Sequence, residues 1–383
     1  MIYRSLLRLC TEIIRIHLFM YTNPRLHAVP TWPLRSVAPT ALAKNLILLI
    51  GDGLGLAHLS AGLAANGGRL HLARFHDLGL VTTHAAHQFV TDSAAAATAL
   101  ATGHKTYNGG LGMDAHMRAQ PNLRELAMQQ GKATGVIASC SVTEATPAAF
   151  VAHEPGRMFH EHIAEAYLAS GIDFFLGEGR HHFTARSDER DLLADLRAQG
   201  YQVIDQLAQL DPIQAGRVAG LLPEMPRYSQ GRDDLLRVGG QHALRLLGQR
   251  QAGFFLMIES SQIDWGAHDN DGAYVVEEVL DFDQLVGDML NFAAADGETL
   301  LVVTADHETG GLAVTDGNPA QGQVEVAFST SMHTGEMVPV LAYGPQAAHF
   351  RGFHDNCDLF HLMRAAIGAE LMGQEVIGEV GGL

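Results

Sequence analysis

The sequence is poor in cysteine, in aromatic residues and in positive charge. Its three cysteines, Cys10, Cys140 and Cys357, are odd in number and form no C-x-x-C pair. This excludes a disulfide framework and a thiolate zinc site and leaves them as small buried hydrophobes. Lysine and arginine total 25 against 42 acidic residues, for a formal charge of -17. With no basic block anywhere, the composition argues against a general nucleic-acid or anionic-membrane surface. No apolar run reaches the roughly 18 residues needed to cross a bilayer, so no transmembrane span is expected. Repeats and low-complexity tracts are also missing.

What remains is a 383-residue chain, 47% hydrophobic and 17% charged, enough to bury a sizeable core. Length alone suggests two or three domains, although one large α/β domain reaches this size. The unusual feature is 21 histidines in an acidic chain, which raises the question of whether some carboxylates and imidazoles are metal ligands. At the N-terminus, Arg4, Arg8, Glu12 and Arg15 interrupt the apolar residues, so a secretory h-region is poorly formed. The same residues could form an amphipathic basic helix on Leu6, Leu7, Leu9, Ile13, Ile14 and Ile16. Ala41-Leu42-Ala43 has the small-x-small pattern of a cleavage site, and residues 1–43 are expected to be a leader or tail outside the fold.

From Lys44 onward, short apolar runs alternate with helical segments, the pattern of an α/β fold. Strands are predicted at Leu46 to Ile50, Gly135 to Ala138, Phe254 to Ile258, Leu300 to Thr304 and Val338 to Ala342. Their continuous hydrophobicity suits parallel strands buried on both faces. Helices are predicted at Ala94 to Ala101, Leu123 to Gln130, Asp188 to Gln199, Leu235 to Gln249 and Ala273 to Ala294. The expected architecture is a three-layer α/β/α sandwich around a mostly parallel sheet, spanning 44–383, with insertions at about 155–250 and 312–333 near the site.

Three strands are followed by chemically useful residues. Ile50 leads into Gly51-Asp52-Gly53, Ile258 into Glu259 and Asp264, and Thr304 into Ala305-Asp306-His307. Open α/β sheets place their binding sites just past the carboxyl ends of their strands. A single Asp there is more often a turn or cap residue, but three such cases together point to a site. Asp264 and His268 are four apart, on one side of a helix or turn. A carboxylate with an imidazole suits zinc, and His333 could add another imidazole. Asp92 or Ser93 before an alanine-rich run is either an ordinary N-cap or, with the helix amides, an anion site whose serine attacks phosphate.

Taken in order, these motifs resemble the bacterial alkaline phosphatases. The resemblance rests on Asp52 in Gly-Asp-Gly-x-Gly, Thr91-Asp92-Ser93-Ala94, Ala145-Thr146-Pro147-Ala148 with Arg157, and Glu259 with Asp264 and His268. It continues with Asp306-His307-Glu308-Thr309-Gly310-Gly311 and His333-Thr334-Gly335. Lys105-Thr106-Tyr107-Asn108 and Asp358-Leu359-Phe360-His361 also look like the family's compact members, and the match covers about residues 44–370.

The resemblance implies a metal-dependent phosphate monoester hydrolase acting through a phosphoserine intermediate, with two zinc ions and one magnesium per chain. One zinc is implied at Asp264, His268 and His333, the second at Asp52, Asp306 and His307, and magnesium at Asp52, Thr146 and Glu259. Ser93 is the implied nucleophile and Arg157 the implied grip on two phosphate oxygens. Asp52, Glu259, Asp264 and Asp306 contribute -4 and three divalent ions +6, so the loaded site attracts a dianion within an acidic chain. The expected substrates are small phosphate monoesters, the expected location periplasmic or secreted, and a homodimer is common in the family.

Two positions depart from the family pattern. Glu144 stands where the family shows Asp or His, and could order magnesium-bound water or ligate directly. Trp265 stands where some members carry Lys or His, which removes a cation near the phosphate. Asp92, Glu144 and Trp265 are therefore expected as supporting residues around the site. Sulfatases need a C-x-P-x-R-type segment at the nucleophile, which the chain lacks. Diesterases typically use Thr and lack the third metal site. A phosphate- or metal-binding protein without turnover is disfavoured because the nucleophile and the implied ligands are all present.

Overall fold

A computed structural model of the chain describes residues 18–31, 34, 41–224, 226 and 234–370. Cys10, the amphipathic stretch over residues 4–16 and most of the expected leader lie outside them. Fifteen strands are formed among the described residues. They are β1 (Phe19–Thr22), β2 (Asn45–Gly51), β3 (Asp77–Thr82), β4 (Ala133–Ser141), β5 (Phe174–Glu178), β6 (Tyr201–Ile204), β7 (Arg217–Leu221) and β8 (Phe254–Ser260). They continue with β9 (Thr299–Thr304), β10 (Glu308–Thr309), β11 (Leu312–Asn318), β12 (Gln323–Phe328), β13 (His333–Thr334), β14 (Val338–Tyr343) and β15 (Gly352–Asp355).

Ten of them form one sheet in the order β15-β3-β14-β9-β2-β8-β4-β5-β7-β6. Every pairing is parallel except those of β14, which runs against both β3 and β9. The centre is as apolar as its sequence: all seven residues of β2 and of β8 and all nine of β4 are buried. Both faces are covered. Helices Leu56–Ala65, Leu235–Leu247 and Gly272–Asp296 pack together, the last two against the sheet, and the Ser93–Thr102, Leu123–Gln129, Ala145–Ala149 and Asn356–Ala366 helices form a second packed group. The α/β sandwich expected from the alternation is what forms. No helix among the described residues is long and apolar enough to cross a membrane.

All five strands predicted from sequence lie within β2, β4, β8, β9 and β14. The 155–250 span is built onto the central sheet. It supplies β5, β7 and β6, which extend the central sheet beyond β4, and the Leu235–Leu247 helix, which packs on β4 and β8. Burial explains this, since Phe174, Phe175 and Leu176 have no exposed surface and their strand hydrogen-bonds to β4. The 312–333 span folds into β11 and β12, which form a separate antiparallel sheet with β1. Part of the expected leader therefore belongs to the fold. Phe19–Thr22 pairs with Gln323–Val326, Tyr21 is buried, and Ala43 of the cleavage-like tripeptide donates its N–H to Ala366.

The Ser93–Thr102 helix is buried on every side. Its alanines let the Ala145–Ala149 and Asn356–Ala366 helices approach closely. Asp92 caps its start, accepting from the Ala95 N–H at 2.9 Å, and Gly103 closes it at φ 72°.

Candidate active site

The carboxyl ends of β2, β8 and β9, neighbours in the sheet, converge on one spot. Asp52 follows β2 and is held by its N–H on the Ser260 carbonyl at 3.0 Å. Gly53 turns the chain at φ 76°, where an added Cβ would come within 2.8 Å of the Asp264 backbone, and its N–H donates to Asp306 Oδ1 at 3.2 Å. Glu259 lies near the end of β8, and the Gln262–His268 helix after it presents Asp264 and His268 together. Pairing of β10 with β13 sets His333 opposite Thr309 and carries it into the same region.

Three clusters result, one of them an oxygen set. Asp264 Oδ1 lies 3.3 Å from His268 Nε2 and 3.5 Å from His333 Nε2. His307 Nε2 lies 3.1 Å from Asp306 Oδ2 and 3.5 Å from Asp52 Oδ1. Thr146 Oγ1 is 3.4 Å from Asp52 Oδ2, beside the buried Glu259 carboxyl. The first two trios each bring one ligating atom per residue within 4.8 Å of the others.

The electrostatics of these groups call for cations. Asp52, Glu259, Asp264 and Asp306 are all buried. Burial pushes Glu259 up to about 7, and burial with the charge of Asp264 pushes Asp306 up to about 8. Asp52 rises well above its ordinary range through burial and then the charges of Asp306, Asp264 and Glu259. Burial also works to raise Asp264, but His268 and the other two imidazoles outweigh it and hold it at about 2. Asp52 Oδ1 and Asp306 Oδ2 have no hydrogen-bond partner among the described residues. Orphaned buried carboxylate oxygens at this density are costly without a cation. Burial and His333 lower the pKa of His307 strongly, favouring the neutral, metal-binding form. The donor sets fit the ions implied by sequence: imidazole with carboxylate for zinc, oxygen alone for magnesium.

Ser93 opens the buried helix, its Oγ 3.3 Å from His307 Nε2. Asp92 serves as the expected cap and does more, because its carboxylate also accepts from the Gly109 N–H at 3.1 Å and from Arg157 Nη1 at 3.2 Å. Arg157 Nη2 faces Glu144 Oε2 at 3.6 Å, so two carboxylates bracket the guanidinium. Trp265 is half-buried and, with Glu144, His160, His181 and His182, lines a cleft of about 540 Å³.

Every site residue expected from sequence is thus found in this one region. Sequence reading missed the groups that orient them. Thr309 Oγ1 donates to Asp264 Oδ1 at 2.5 Å and sits 3.2 Å from His307 Nδ1. Main-chain carbonyls of Thr91 and Ser331 hold the Nδ1 atoms of His333 and His268. Thr309 stands two residues after His307 and could have been suspected on that ground, whereas carbonyl contacts leave no mark in a sequence. The stacked His160 and His182 rings in the cleft, with His181 tilted against His182, were also unforeseen.

Comparison with known proteins gives a consistent picture. The alkaline phosphatase family profile matches residues 43–321 and 312–369. Alkaline phosphatase 4 of Bacillus subtilis (strain 168) is 31% identical over 403 aligned positions, covering 82% of this chain and 87% of that protein. Escherichia coli (strain K12) alkaline phosphatase is 32% identical over 424 positions, covering 90% of each. Among solved structures, the alkaline phosphatase of the Antarctic bacterium TAB5 superposes with a TM-score of 0.81 at 35% identity, covering 87% of this chain and all of that one.

Proposed function

The chain belongs to the alkaline phosphatase family and is a phosphate monoester hydrolase, and from that premise we propose that Ser93 is its nucleophile. The observation that carries the assignment is the position of Ser93 Oγ, 3.3 Å from His307 Nε2 at the head of a buried helix.

In this reading one zinc is held by Asp264, His268 and His333, a second by Asp52, Asp306 and His307, and magnesium by Asp52, Thr146 and Glu259. A variant of the TAB5 enzyme with Mg bound in its M3 site is among the similar structures and supports a magnesium position. When bound, the cations supply positive charge that lowers the cost of deprotonating the serine and of expelling an alkoxide. Ser93 Oγ loses its proton and forms the bond to phosphorus as the bond to the alcohol oxygen breaks, giving phosphoserine and the free alcohol. Water then cleaves the Oγ–P bond, releasing inorganic phosphate and returning a proton to Ser93. The positive end of the Ser93–Thr102 helix dipole lies at Ser93 and favours the negative charge of the transferring group. Arg157, steadied by Asp92 and Glu144, grips two non-bridging oxygens through its planar fork. Glu144, whose charge acts on Glu259, would order water around the cation of the oxygen set.

The test is Ser93→Ala. It should lower hydrolysis of p-nitrophenyl phosphate by roughly a thousand-fold or more, with metal content unchanged and no phosphoserine trapped. Appreciable turnover in that variant would remove Ser93 from the mechanism. The same reading places the enzyme outside the cytoplasm as a homodimer, which cell fractionation and light scattering test.

A further inference from the structure

Away from the phosphatase centre, His27, His71 and Asp283 meet where the N-terminal segment crosses the Gly272–Asp296 helix. One ligating atom of each lies within 4.8 Å of the other two, a limit that the Asp264 and Asp52 trios also meet. Asp283 has no exposed surface, and its carboxylate is fixed by the His71 and Leu72 N–H groups, both at 2.9 Å. His27 Nε2 approaches Asp283 Oδ2 to 2.7 Å, while the His27 main chain is pinned on both sides by the Asn66 amide.

His71 completes the group from the other side. Only 8% of the residue is exposed, its Nδ1 has no hydrogen-bond partner among the described residues, and its ring stacks on that of His27 at 5.7 Å and 7°. Burial lowers the pKa of the His71 imidazole, against the charge of Asp283. The helix makes room for it at Gly287, where an added Cβ would come within 2.7 Å of three atoms of the His71 ring. A glycine inside a helix costs about 0.5–1 kcal/mol, and here it seats an imidazole that otherwise leaves a polar atom unsatisfied.

We propose that His27, His71 and Asp283 form a further zinc site, distinct from the phosphatase centre, that clips residues 19–31 to the Gly272–Asp296 helix. Two imidazoles and one carboxylate are a zinc donor set, and the fourth position falls to solvent. An adjoining cleft of about 550 Å³, lined in part by Asn23, Arg25, His27 and Asp281, gives the ion and its water a route in. A buried carboxylate fixed by two backbone donors is already set in place for the ion. With three protein ligands the ion exchanges more readily than one held by four.

The experiment counts zinc. Wild type and His27→Gln are stripped with chelator, dialysed against the same buffered zinc with magnesium, and analysed by atomic spectroscopy. Glutamine keeps a donor for Asp283, so a purely hydrogen-bonded cluster survives the change while a zinc ligand is lost. The wild type should carry one zinc per chain more than His27→Gln, at equal rates of p-nitrophenyl phosphate hydrolysis. Equal zinc content in the two proteins overturns the site. Should His27→Gln fail to fold, His71→Gln is read in the same way.

Discussion

His268 Nε2 and His333 Nε2 lie 3.1 Å apart, and each ring has its Nδ1 against a main-chain carbonyl, that of Ser331 at 2.7 Å and that of Thr91 at 2.9 Å. A carbonyl only accepts, so in each neutral ring the proton belongs on Nδ1 and the Nε2 lone pair faces inward. Two lone pairs and Asp264 Oδ1 then face the same point. Something positive has to sit among them; without a metal it is a proton, and the Asp264 carboxylate accordingly holds His268 up at about 9.

Metal removal follows directly from this geometry. Exhaustive chelation should abolish hydrolysis, and zinc with magnesium should restore it. The stripped protein should also melt lower, by the equivalent of about 4 kcal/mol where free metal had stood a thousand-fold above its dissociation constant. Calorimetry with and without chelator reads the stability arm. Full turnover after chelation would contradict the assignment of the two imidazole-containing trios.

Thr309→Val tests the orienting shell. The hydroxyl donates to Asp264 Oδ1 and touches His307 Nδ1, so it steadies one ligand of each proposed zinc. Valine keeps the shape and removes the hydroxyl. Loss of such a partner should weaken zinc binding by about 10–100-fold, and most of the turnover should return at high zinc. Competition with a chromophoric chelator measures it; unchanged affinity would make Thr309 a packing residue only.

How much of this was legible in the sequence depends on how local each signal is. β2, β8 and β9 were readable because strands buried on both faces are written as largely apolar runs, and Asp52, Glu259, Asp264 and Asp306 sit at or just past their carboxyl ends. The edge strand β6 was not, since Tyr-Gln-Val-Ile is only four residues long and interrupted by Gln202, and β15 contains only Phe353 as an apolar residue, itself exposed. β1 was hidden because its partner Val326 lies some three hundred residues away. Ser93 carried two local readings, cap neighbour and nucleophile, and only its place in the ordered set of motifs favoured the second. The proximity of His307 Nε2 comes from a turn after a distant strand.

Trp265 bears on product release. The indole is half-buried between Asp264 and the cleft shared with Glu144, at a position where a lysine would add a cation. Trp265→Lys should tighten phosphate inhibition several-fold, in line with about 1 kcal/mol for a partly exposed ion pair. Where phosphate release limits turnover, the rate should fall as well. The inhibition constant of inorganic phosphate decides this, and equal constants in variant and parent would reduce Trp265 to a wall of the cleft.

The His153–Glu125 pair gives a pH signature away from the metals. His153 Nε2 meets Glu125 Oε1 at 3.0 Å. That hydrogen bond raises the His153 pKa against the opposing effect of burial, while Glu125, which burial would raise, is carried below its ordinary value by His153 and the Asn122 N–H. A raised histidine stabilises fully below its unfolded pKa of about 6.5 and loses that contribution as pH climbs through its folded value. A lowered glutamate stabilises above its unfolded pKa of about 4.3 and loses that contribution as pH falls through its folded value. The pair is therefore strongest between those two pH values. His153→Gln should cost about 0.5–1 kcal/mol more at pH 5.5 than at pH 8.5, read as the difference between wild-type and variant urea midpoints at each pH, so that metal effects common to both cancel. A cost independent of pH would show that His153 acts there as a neutral hydrogen-bonding group.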